Sequence, residues 1–406
     1  MEKQKLVNRT RSCAATLAAG EVNSLRITED EKTVIRAYDG ANIGIAGRIG
    51  EGDDGALERE AIAALSLGIP YPALSGDPAV RHEDVSAKII DEADFLKTAK
   101  SLAARLKARF PDFVFSDKFY LEQIYSCYSD SLGSDMSYSD SAVQIGFNIK
   151  HRQSGNIVDL YYSASARRYS EDDVTEDIAK LLDVYNNKLP MPNEPLPVII
   201  STSAINYALS HMKAEMYCNG AGLFAGKLGQ KVFDGRVNIL TDRTPGRRPL
   251  ISFFDSEGVT SPQDKFYFVK DGTFCGLATY RRSAKAFSLP LSGSGYTDFN
   301  DAPSAADFRG ICIDTAGRKL SQELKDMAIY IAVAEGGDMT PEGKVAMPVM
   351  LAYLYEGGRL VGTLPEFGIS ANIFDFLGKD LITVAKNDIF GYTDEDVIVA
   401  GFNITK

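Results

Sequence analysis

The chain has 406 residues, of which 45% are hydrophobic and 24% are charged, enough apolar material for about two or three domains with hydrophobic cores. This composition excludes a disordered chain, a collagen and a small disulfide scaffold. No apolar run approaches the roughly 18 residues that a membrane-spanning helix needs, so we expect no membrane association.

The charge balance argues against nucleic acid as a partner. The chain has 44 Lys and Arg residues against 55 Asp and Glu residues, a net charge of −11 at pH 7. Such a chain is repelled by phosphate backbones unless it collects its basic residues on one face. Its basic pairs are instead small and scattered: Arg167–Arg168, Arg247–Arg248 and Arg281–Arg282.

Cysteine usage favours a reducing compartment. The number of cysteines is odd, they form no CxxC pair, and residues 13–20 are too short and too polar for a signal-peptide core. We therefore expect reduced thiols, an N-terminal strand or helix, and a cytoplasmic protein. The cysteines are Cys13, Cys127, Cys218, Cys275 and Cys312.

The first half of the chain mixes strand patterns with amphipathic helix patterns. Alternating apolar residues predict a strand meander that turns at Asp39–Gly40, and helix signals include Ser170 as an N-cap. Strands are predicted over residues 12–49 and 113–168, and helices over residues 56–67, 91–110 and 171–187.

A proline-rich segment divides the chain. Residues 189–197 contain four prolines in nine positions, which no helix can cross. We predict a domain boundary here, between an N-terminal α+β region over residues 1–188 and a mostly antiparallel β domain over residues 198–406.

The second half contains further strands and short helices without regular βαβ alternation. This order predicts the α+β class, with largely antiparallel sheets, flanking helices and a two-part chain. The predicted elements are a strand over residues 198–200, a helix over 203–217, hairpins over 265–280 and 346–363, a short helix over 372–377 and a strand over 396–405.

Histidine spacing excludes the usual zinc-peptidase helix. The chain has three histidines, His82, His151 and His211. An HExxH helix needs two of them four residues apart, so that both rings face one metal ion. No pair has this spacing.

Two clusters could carry chemistry. His211, Glu215 and Cys218 would share one face of the predicted helix, as a metal site or a Cys–His pair, although an ordinary, partly buried helix face is the favoured interpretation. Asp255 and Glu257 could act as a metal or acid/base pair, although an acidic turn before a hairpin is favoured.

Two glycine-rich segments do not match known motifs. Residues 220–227 lack the spacing of a phosphate-binding loop. Residues 292–295 fit neither the nucleophile elbow nor a dinucleotide loop, so a flexible loop is expected there.

Four blocks of the second half resemble the TldD/PmbA family, which has also been described as modulators of DNA gyrase. A weaker similarity at residues 34–46 extends the resemblance over nearly the whole chain. The blocks are FAGKLGQKV at 224–232, FDSEGV at 254–259, VKDGTFCG at 269–276 and RRSA at 281–284. Their motif residues Gly226, Lys227, Gly229, Gln230, Asp255, Glu257 and Gly258 are interpreted as turns of the shared scaffold.

The resemblance also implies which branch of the family this is. TldD-type members carry two zinc-binding histidines and a glutamate base on the helix that follows the domain boundary, whereas PmbA-type members lack them and pair with a TldD-type subunit. Here Ile205 and Ser210 align with the histidines and Asn206 with the glutamate. A shift of one residue puts His211 at the second histidine, with Asn206 and Tyr207 at the other two positions.

The resemblance therefore implies a PmbA-like protein without a metal or another cofactor. Such a protein would be a subunit of a cytoplasmic peptidase complex that binds extended, unfolded peptides in a cleft between subunits, with a TldD-type partner or a second copy of itself. The alternative is a self-sufficient homodimeric peptide-binding protein without proteolytic activity. A peptidase that uses Asp255 and Glu257, or the His211 cluster, in an unfamiliar way is the third possibility, so enzymatic activity stays open.

Overall fold

The protein is described by a computed structural model that covers residues 1–334 and 336–405. Within these ranges, no helix combines the length and the hydropathy needed to cross a bilayer. Pairing between strands is antiparallel except where β5 (Val80–Asp84) joins β7 (Asp135–His151) and where β9 (Val198–Ser201) joins β16 (Ala328–Ala334). The predicted α+β class with largely antiparallel sheets is confirmed.

The first half forms an eight-stranded sheet with the order β4-β3-β2-β1-β6-β7-β5. The eighth strand, β8, also pairs with β7, along residues 143–149, after the part of β7 that pairs with β5. The predicted meander is confirmed, and its first strand begins ten residues earlier than expected, at Glu2. The remaining elements are β1 (Glu2–Ala18), β2 (Glu21–Tyr38), β3 (Asn42–Ile49), α1 (Asp54–Ala63), β4 (Ile69–Pro70), α2 (Glu92–Arg109), β6 (Phe113–Asp130), β8 (Leu160–Ala166) and α3 (Glu171–Leu182).

The helices α2 and α3 follow their sequence signals. In α2, the apolar residues buried at three- and four-residue spacing include Phe95, Ala99 and Leu102. The Ser170 hydroxyl accepts a hydrogen bond from the Asp173 N–H at 3.1 Å and so caps α3. That helix ends at Leu182, earlier than predicted, because the next residues turn.

The second half forms a nine-stranded sheet with the order β21-β22-β9-β16-β18-β20-β23, to which β17 and β19 are added on β18. Separate sheets contain β12-β11-β10-β15 and β13-β14. The further elements are α4 (Asn206–Leu209), α5 (Ala214–Cys218), β10 (Ile239–Asp242), β11 (Lys265–Lys270), β12 (Thr273–Phe274), α6 (Arg281–Phe287), β13 (Gly295–Tyr296), β14 (Ala305–Ala306), β15 (Ile311–Ile313), α7 (Leu320–Glu323), β17 (Asp338–Met339), β18 (Lys344–Glu356), β19 (Arg359–Leu364), β20 (Phe367–Asn372), α8 (Ile373–Phe376), β21 (Leu381–Lys386), β22 (Asp396–Ala400) and β23 (Asn403–Thr405).

Two strand predictions in this half need correction. The predicted strand over 396–405 is two strands, because the chain bends where the Gly401 N–H donates to the Asp380 carbonyl at 3.0 Å. As a result β22 lies inside the large sheet and β23 pairs with β20. The predicted hairpin over 265–280 closes, but its second strand ends at Phe274.

One hydrophobic cluster joins the two halves of the chain. It contains Phe95 and Phe147 from the first half together with Tyr353 and Val399 from the second. The proline-rich segment runs between α3 and β9, and its first residue, Leu189, donates its N–H to a carbonyl of β19 at 2.9 Å. Both halves therefore contribute to the same core.

Candidate functional site

A cavity of about 620 Å³ lies where the two halves meet, and we name it the β8 cavity. Its walls include residues 160–165 of β8, residues 201–203, 205 and 206 at and after the end of β9, residues 330–332 of β16, and residues 393–396 before and at the start of β22. In the described part of the chain, β8 pairs with β7 alone, so its other edge has no strand partner. A volume of this size is typical of ligand pockets.

A helix of the first half holds one wall of the β8 cavity. The Asp177 carboxylate on α3 is buried and accepts hydrogen bonds from the backbone N–H groups of Gly391, Tyr392 and Thr393, at 2.6, 2.8 and 3.2 Å. These contacts join positions more than 200 residues apart in the sequence and fix the start of residues 393–396.

An ion pair holds a second wall. The buried Asp140 carboxylate accepts hydrogen bonds from Arg167 Nε and Nη2, both at 2.7 Å. The same Nη2 donates to the Arg248 carbonyl at 2.8 Å. A bidentate pair of this geometry is directional, and it sets the position of Arg248 in the cavity wall.

The segment 394–396 is acidic and lines the cavity. Asp394 lies 3.3 Å from the Lys386 ammonium and 3.6 Å from the Arg247 guanidinium, neither of which lines the cavity. Glu395 is half-buried and accepts hydrogen bonds from Ser201 and Asn387, and burial raises its pKa. Asp394 is therefore paired with cations, whereas the hydrogen-bond donors of Glu395 are neutral side chains.

Asp396 is the most buried carboxylate of this wall. Asp396 is 6% exposed, and its Oδ2 lies 3.7 Å from Arg248 Nη2. Its Oδ1 is buried and has no hydrogen-bond partner in the described ranges. Burial raises the pKa of Asp396 despite the attraction of Arg248.

The predicted helix over 203–217 is wrong, because the chain breaks at Lys213. This residue is extended, with φ −73° and ψ 141°, and forms a β-bridge with Ala278. Before it lie α4 and short 3-10 turns at Thr202–Ile205 and Ser210–Met212, and after it lies α5. His211 is thus on one side of the break and Glu215 on the other, so the three candidate side chains do not share a helix face.

His211 serves as a local hydrogen-bond acceptor. Its Nδ1 accepts from the Leu223 N–H at 3.3 Å, and partial burial lowers its pKa. Gly222 lies against the ring with φ +88°, and a Cβ there would be 2.6 Å from Nδ1. The neutral imidazole therefore stabilises the turn at residues 222–223.

The other two members of the cluster have separate surroundings. Glu215 contacts Tyr280, whose pKa is raised to about 12 by burial and then by this carboxylate. Cys218 is exposed, and partial burial followed by the charge of Glu215 raises its pKa. A thiol with a raised pKa is a poor nucleophile at neutral pH.

The structure places Asp255 in a buried turn. Asp255 Oδ1 accepts from the N–H groups of Glu257 and Val259 at 2.8 and 2.9 Å, and Oδ2 accepts from the Gly295 N–H at 2.6 Å. The Asp255 N–H bonds to the Val259 carbonyl and closes the turn. Burial raises the pKa of Asp255 against these bonds.

Glu257 is 1% exposed and both of its oxygens are bonded. Oε1 accepts from the Tyr71 hydroxyl at 2.6 Å, and Oε2 accepts from the Arg281 N–H at 2.8 Å. Burial, followed by the neighbouring Asp255, raises the pKa of Glu257 to about 7. Each oxygen of the carboxylate pair thus has a hydrogen-bond donor within the protein, as in an acidic turn that is tied into the fold.

Two buried arginines extend this network across the halves. Arg281 donates through Nη1 to the Ser75 carbonyl at 2.7 Å and through Nη2 to the Glu257 carbonyl at 3.2 Å. Arg36 on β2 donates through Nη1 to the Ser256 carbonyl at 2.7 Å. The FDSEGV and RRSA blocks thus bind the first sheet to the second half.

Glycines permit the close packing around the pair. Gly258 has φ +73°, and a Cβ there would be 2.2 Å from the Tyr128 ring. A Cβ on Gly295 would be 2.5 Å from Glu257 Oε2 and 2.9 Å from Asp255 Oδ2. The expected flexible loop over 292–295 is instead a packed segment, in which Ser292 is buried and bonds to Thr279.

The FAGKLGQKV block forms turns beside β12. Gly226 and Gly229 have φ of +70° and +81°, and the Gly229 N–H donates to the Phe274 carbonyl at 2.7 Å. Lys227 Nζ donates to the Leu223 carbonyl at 2.8 Å, and the Gln230 side chain donates to the Gly226 carbonyl at 2.9 Å. The side chains of Lys227 and Gln230 thus bond to nearby backbone.

Residues 194–400, half of the chain, match the family of the PmbA/TldA metallopeptidase C-terminal domain. The chain belongs to the PmbA/TldD family. A metalloprotease of Archaeoglobus fulgidus is 25% identical over 267 residues, which are 62% of this chain and 60% of the relative. A metalloprotease of Methanocaldococcus jannaschii is 25% identical over 216 residues, 51% of this chain and 47% of the relative. The chain thus spans about half of the length of the curated relatives it matches.

Solved structures extend the PmbA/TldD likeness over the whole fold. TldE from Thermococcus kodakarensis aligns with a TM-score of 0.82 and 17% identity, over 100% of this chain and 97% of that one. A Thermotoga maritima protein described as a modulator of a DNA gyrase aligns with a TM-score of 0.77 and 16% identity, over 100% and 96% of the two chains. The resemblance drawn from the sequence is confirmed.

The metal of a metallopeptidase does not fit the residues that this PmbA/TldD chain has after β9. Ile205 is apolar and 2% exposed, and Asn206 and Ser210 are exposed neutral residues. His211 already uses Nδ1 as an acceptor. Among residues 1–334 and 336–405, no three His, Cys, Asp or Glu side chains are grouped so that they could hold a metal ion.

Sequence reasoning missed the acidic wall of the β8 cavity in this PmbA/TldD chain. The run Asp394-Glu395-Asp396 was visible as a cluster of like charges before a predicted strand. Its position beside β8 depends on Asp177, which no local pattern connects to it.

Proposed function

We propose that this PmbA/TldD-family chain is a non-metal-binding, PmbA-like subunit of a cytoplasmic peptidase complex that processes or degrades extended, unfolded peptides. The observation that carries the proposal is the cavity wall after β9. The resemblance aligns a zinc-binding histidine of TldD-type members with Ile205 and their glutamate base with Asn206, and both residues line the β8 cavity. Neither side chain can hold zinc in place of a histidine or deprotonate a water molecule as a glutamate does.

In the described part of the chain, β8 has a strand partner at one edge, β7, and the other edge supports the peptide part of the proposal. Strand edges bind extended peptides by adding them to the sheet through backbone hydrogen bonds. Residues 160–165 of β8 line the cavity continuously, so a peptide strand placed there would lie beside Ile205 and Asn206. The likeness in fold to TldE from Thermococcus kodakarensis is consistent with a PmbA-type subunit.

The test compares the chain alone with the chain co-expressed with a TldD-type metallopeptidase. Zinc is measured by elemental analysis, assembly by light scattering, and activity by hydrolysis of a fluorescent, unfolded casein. We expect the chain alone to contain no stoichiometric zinc and to be inactive, and the co-purified complex to contain zinc and to hydrolyse casein. The complex with a metal-free variant of the partner is the control and should be inactive.

Two results would contradict the proposal. Stoichiometric zinc with hydrolysis by the chain alone would show that it has its own catalytic centre, and His211, Glu215 and Cys218 would be the first residues to substitute. A stable homodimer that binds peptides but does not associate with a TldD-type subunit would favour the self-sufficient peptide-binding protein instead.

A further inference from the structure

We propose that the β8 cavity binds a cationic side chain, the ammonium of a lysine or the guanidinium of an arginine, carried by an extended peptide. The inference that a peptide carries the cation rests on the proposed function. The preference for a cation rests independently on the charge and the hydrogen-bonding capacity of the cavity wall.

The wall has an excess of negative charge. Three consecutive carboxylates, Asp394, Glu395 and Asp396, line the cavity together with one cation, Arg248. Asp394 is paired with cations outside the cavity, and Arg248 is paired with Asp396 at 3.7 Å. In the part of the chain that the structure describes, no Lys, Arg or His nitrogen lies within 4.0 Å of the Glu395 carboxylate. Glu395 is therefore the carboxylate of this wall without a paired cation, and its hydrogen-bond donors Ser201 and Asn387 are neutral.

The wall also has an unused acceptor. Asp396 is more than nine-tenths buried, and its Oδ1 has no hydrogen-bond donor in residues 1–334 and 336–405. A buried carboxylate oxygen without a donor is costly, and a bound donor removes that cost. An ammonium or guanidinium group presents donors alone, so it complements a wall of acceptors better than a neutral polar group does.

The rest of the cavity indicates a peptide as the carrier of that cation. The volume of about 620 Å³ exceeds what a single small cation would fill, and it lies within the range of sites for larger ligands. Residues 160–165 of β8 line the same cavity as the acidic segment, and β8 has β7 as its strand partner in the described part of the chain. A strand edge and carboxylates in one cavity suit an extended peptide that carries one basic side chain.

The experiment is calorimetric titration of the full chain with two capped pentapeptides, one with lysine at its centre and one with norleucine at the same position. The two peptides differ only in the charged group. We expect the lysine peptide to bind at least about tenfold more tightly, because norleucine has no donor for the carboxylates and no charge. Glu395→Gln and Asp396→Asn should each remove most of this preference.

The control variant is Glu356→Gln, which changes the charge of the protein by the same amount at an exposed residue outside the cavity. It should keep the tenfold preference, and thermal melts should show that all three variants are folded. Butylammonium, which is the lysine side chain without a backbone, should compete only at much higher concentration than the lysine peptide.

The outcomes separate the two proposals. Equal binding of both peptides to the wild type would overturn the cation inference and leave peptide binding intact. Binding of neither peptide would count against the proposed function as well. If butylammonium binds as tightly as the lysine peptide, the inference that a peptide carries the cation is wrong.

Discussion

The buried carboxylates of this chain differ in how completely hydrogen-bond donors surround them. Both oxygens of Asp255 and of Glu257 accept hydrogen bonds from the protein. Asp396 has one oxygen paired loosely with Arg248 and one without a donor. The hydrogen bonds on every oxygen of the first pair stabilise the fold, whereas Asp396 keeps one buried oxygen without a donor among the described residues.

The raised pKa of Glu257 predicts how stability depends on pH. Between about pH 4.5 and pH 7 the native state binds more protons than the unfolded state, so the free energy of unfolding falls as the pH rises. Glu257→Gln resembles the protonated side chain, because Tyr71 can accept from the new amide while its own hydroxyl donates to the Pro303 carbonyl, 3.1 Å away. Relative to the wild type, the variant should gain about 2–3 kcal/mol between pH 4.5 and pH 8.

Urea unfolding of both proteins at several pH values measures this difference. Glu257→Ala serves as the comparison, because it leaves the Tyr71 hydroxyl and the Arg281 N–H without their acceptor and should be destabilised at every pH. Parallel pH profiles for the wild type and Glu257→Gln would contradict the raised pKa, because they mean that Glu257 binds equal numbers of protons in the native and unfolded states.

At the scale of elements, the sequence predicted the structures that depend on residues close together in the chain. Alternation predicted the meander, and the Ser170 cap predicted the start of α3, because each depends on neighbouring residues. The break at Lys213 depends on a bridge to Ala278, 65 residues later, and overrides a good helical pattern. The shared helix face of His211, Glu215 and Cys218 was inferred from that predicted helix, so this face does not form either.

The pair Asp255 and Glu257 shows the same limit within the site. A turn at this position was visible in the sequence, and the structure has one, closed by the bridge between Phe254 and Thr260. Its burial was not visible, because it depends on Tyr71 and Arg36 from the first half. The sequence thus predicted that Asp255 and Glu257 lie in one turn, but it did not predict that residues of the first half bury this turn.

The close approach of β13 to the carboxylate pair can be tested with a single methyl group. In Gly295→Ala the new Cβ would be 2.5 Å from Glu257 Oε2, so the strand or the side chain must move. We expect a loss of about 1–3 kcal/mol in the free energy of unfolding. Gly146→Ala on β7 is the matched control, because a Cβ there has no atom within 4 Å, and it should be neutral or slightly stabilising. Equal effects of both substitutions would contradict tight packing at β13.

At the scale of the whole molecule, contacts between the two halves are polar as well as apolar. Asp140 on β7 accepts from the Leu250 N–H at 2.7 Å, and Asp177 on α3 holds residues 391–393. The shared hydrophobic cluster lies with them. The β8 cavity is built by both halves, so its walls form only when both of them are folded and associated.

This arrangement predicts that a cut between the halves will not separate them. Asn193 and Glu194 lie in the exposed part of the proline-rich segment, where a protease site can be inserted. After cleavage, we expect the two fragments to co-elute in size-exclusion chromatography and to unfold in one thermal transition, because separation would expose the cluster that contains Phe147 and Tyr353. The uncleaved insertion protein is the control. Separate elution, or two transitions, would instead indicate two independent domains, whose boundary would then be the one that the prolines predict.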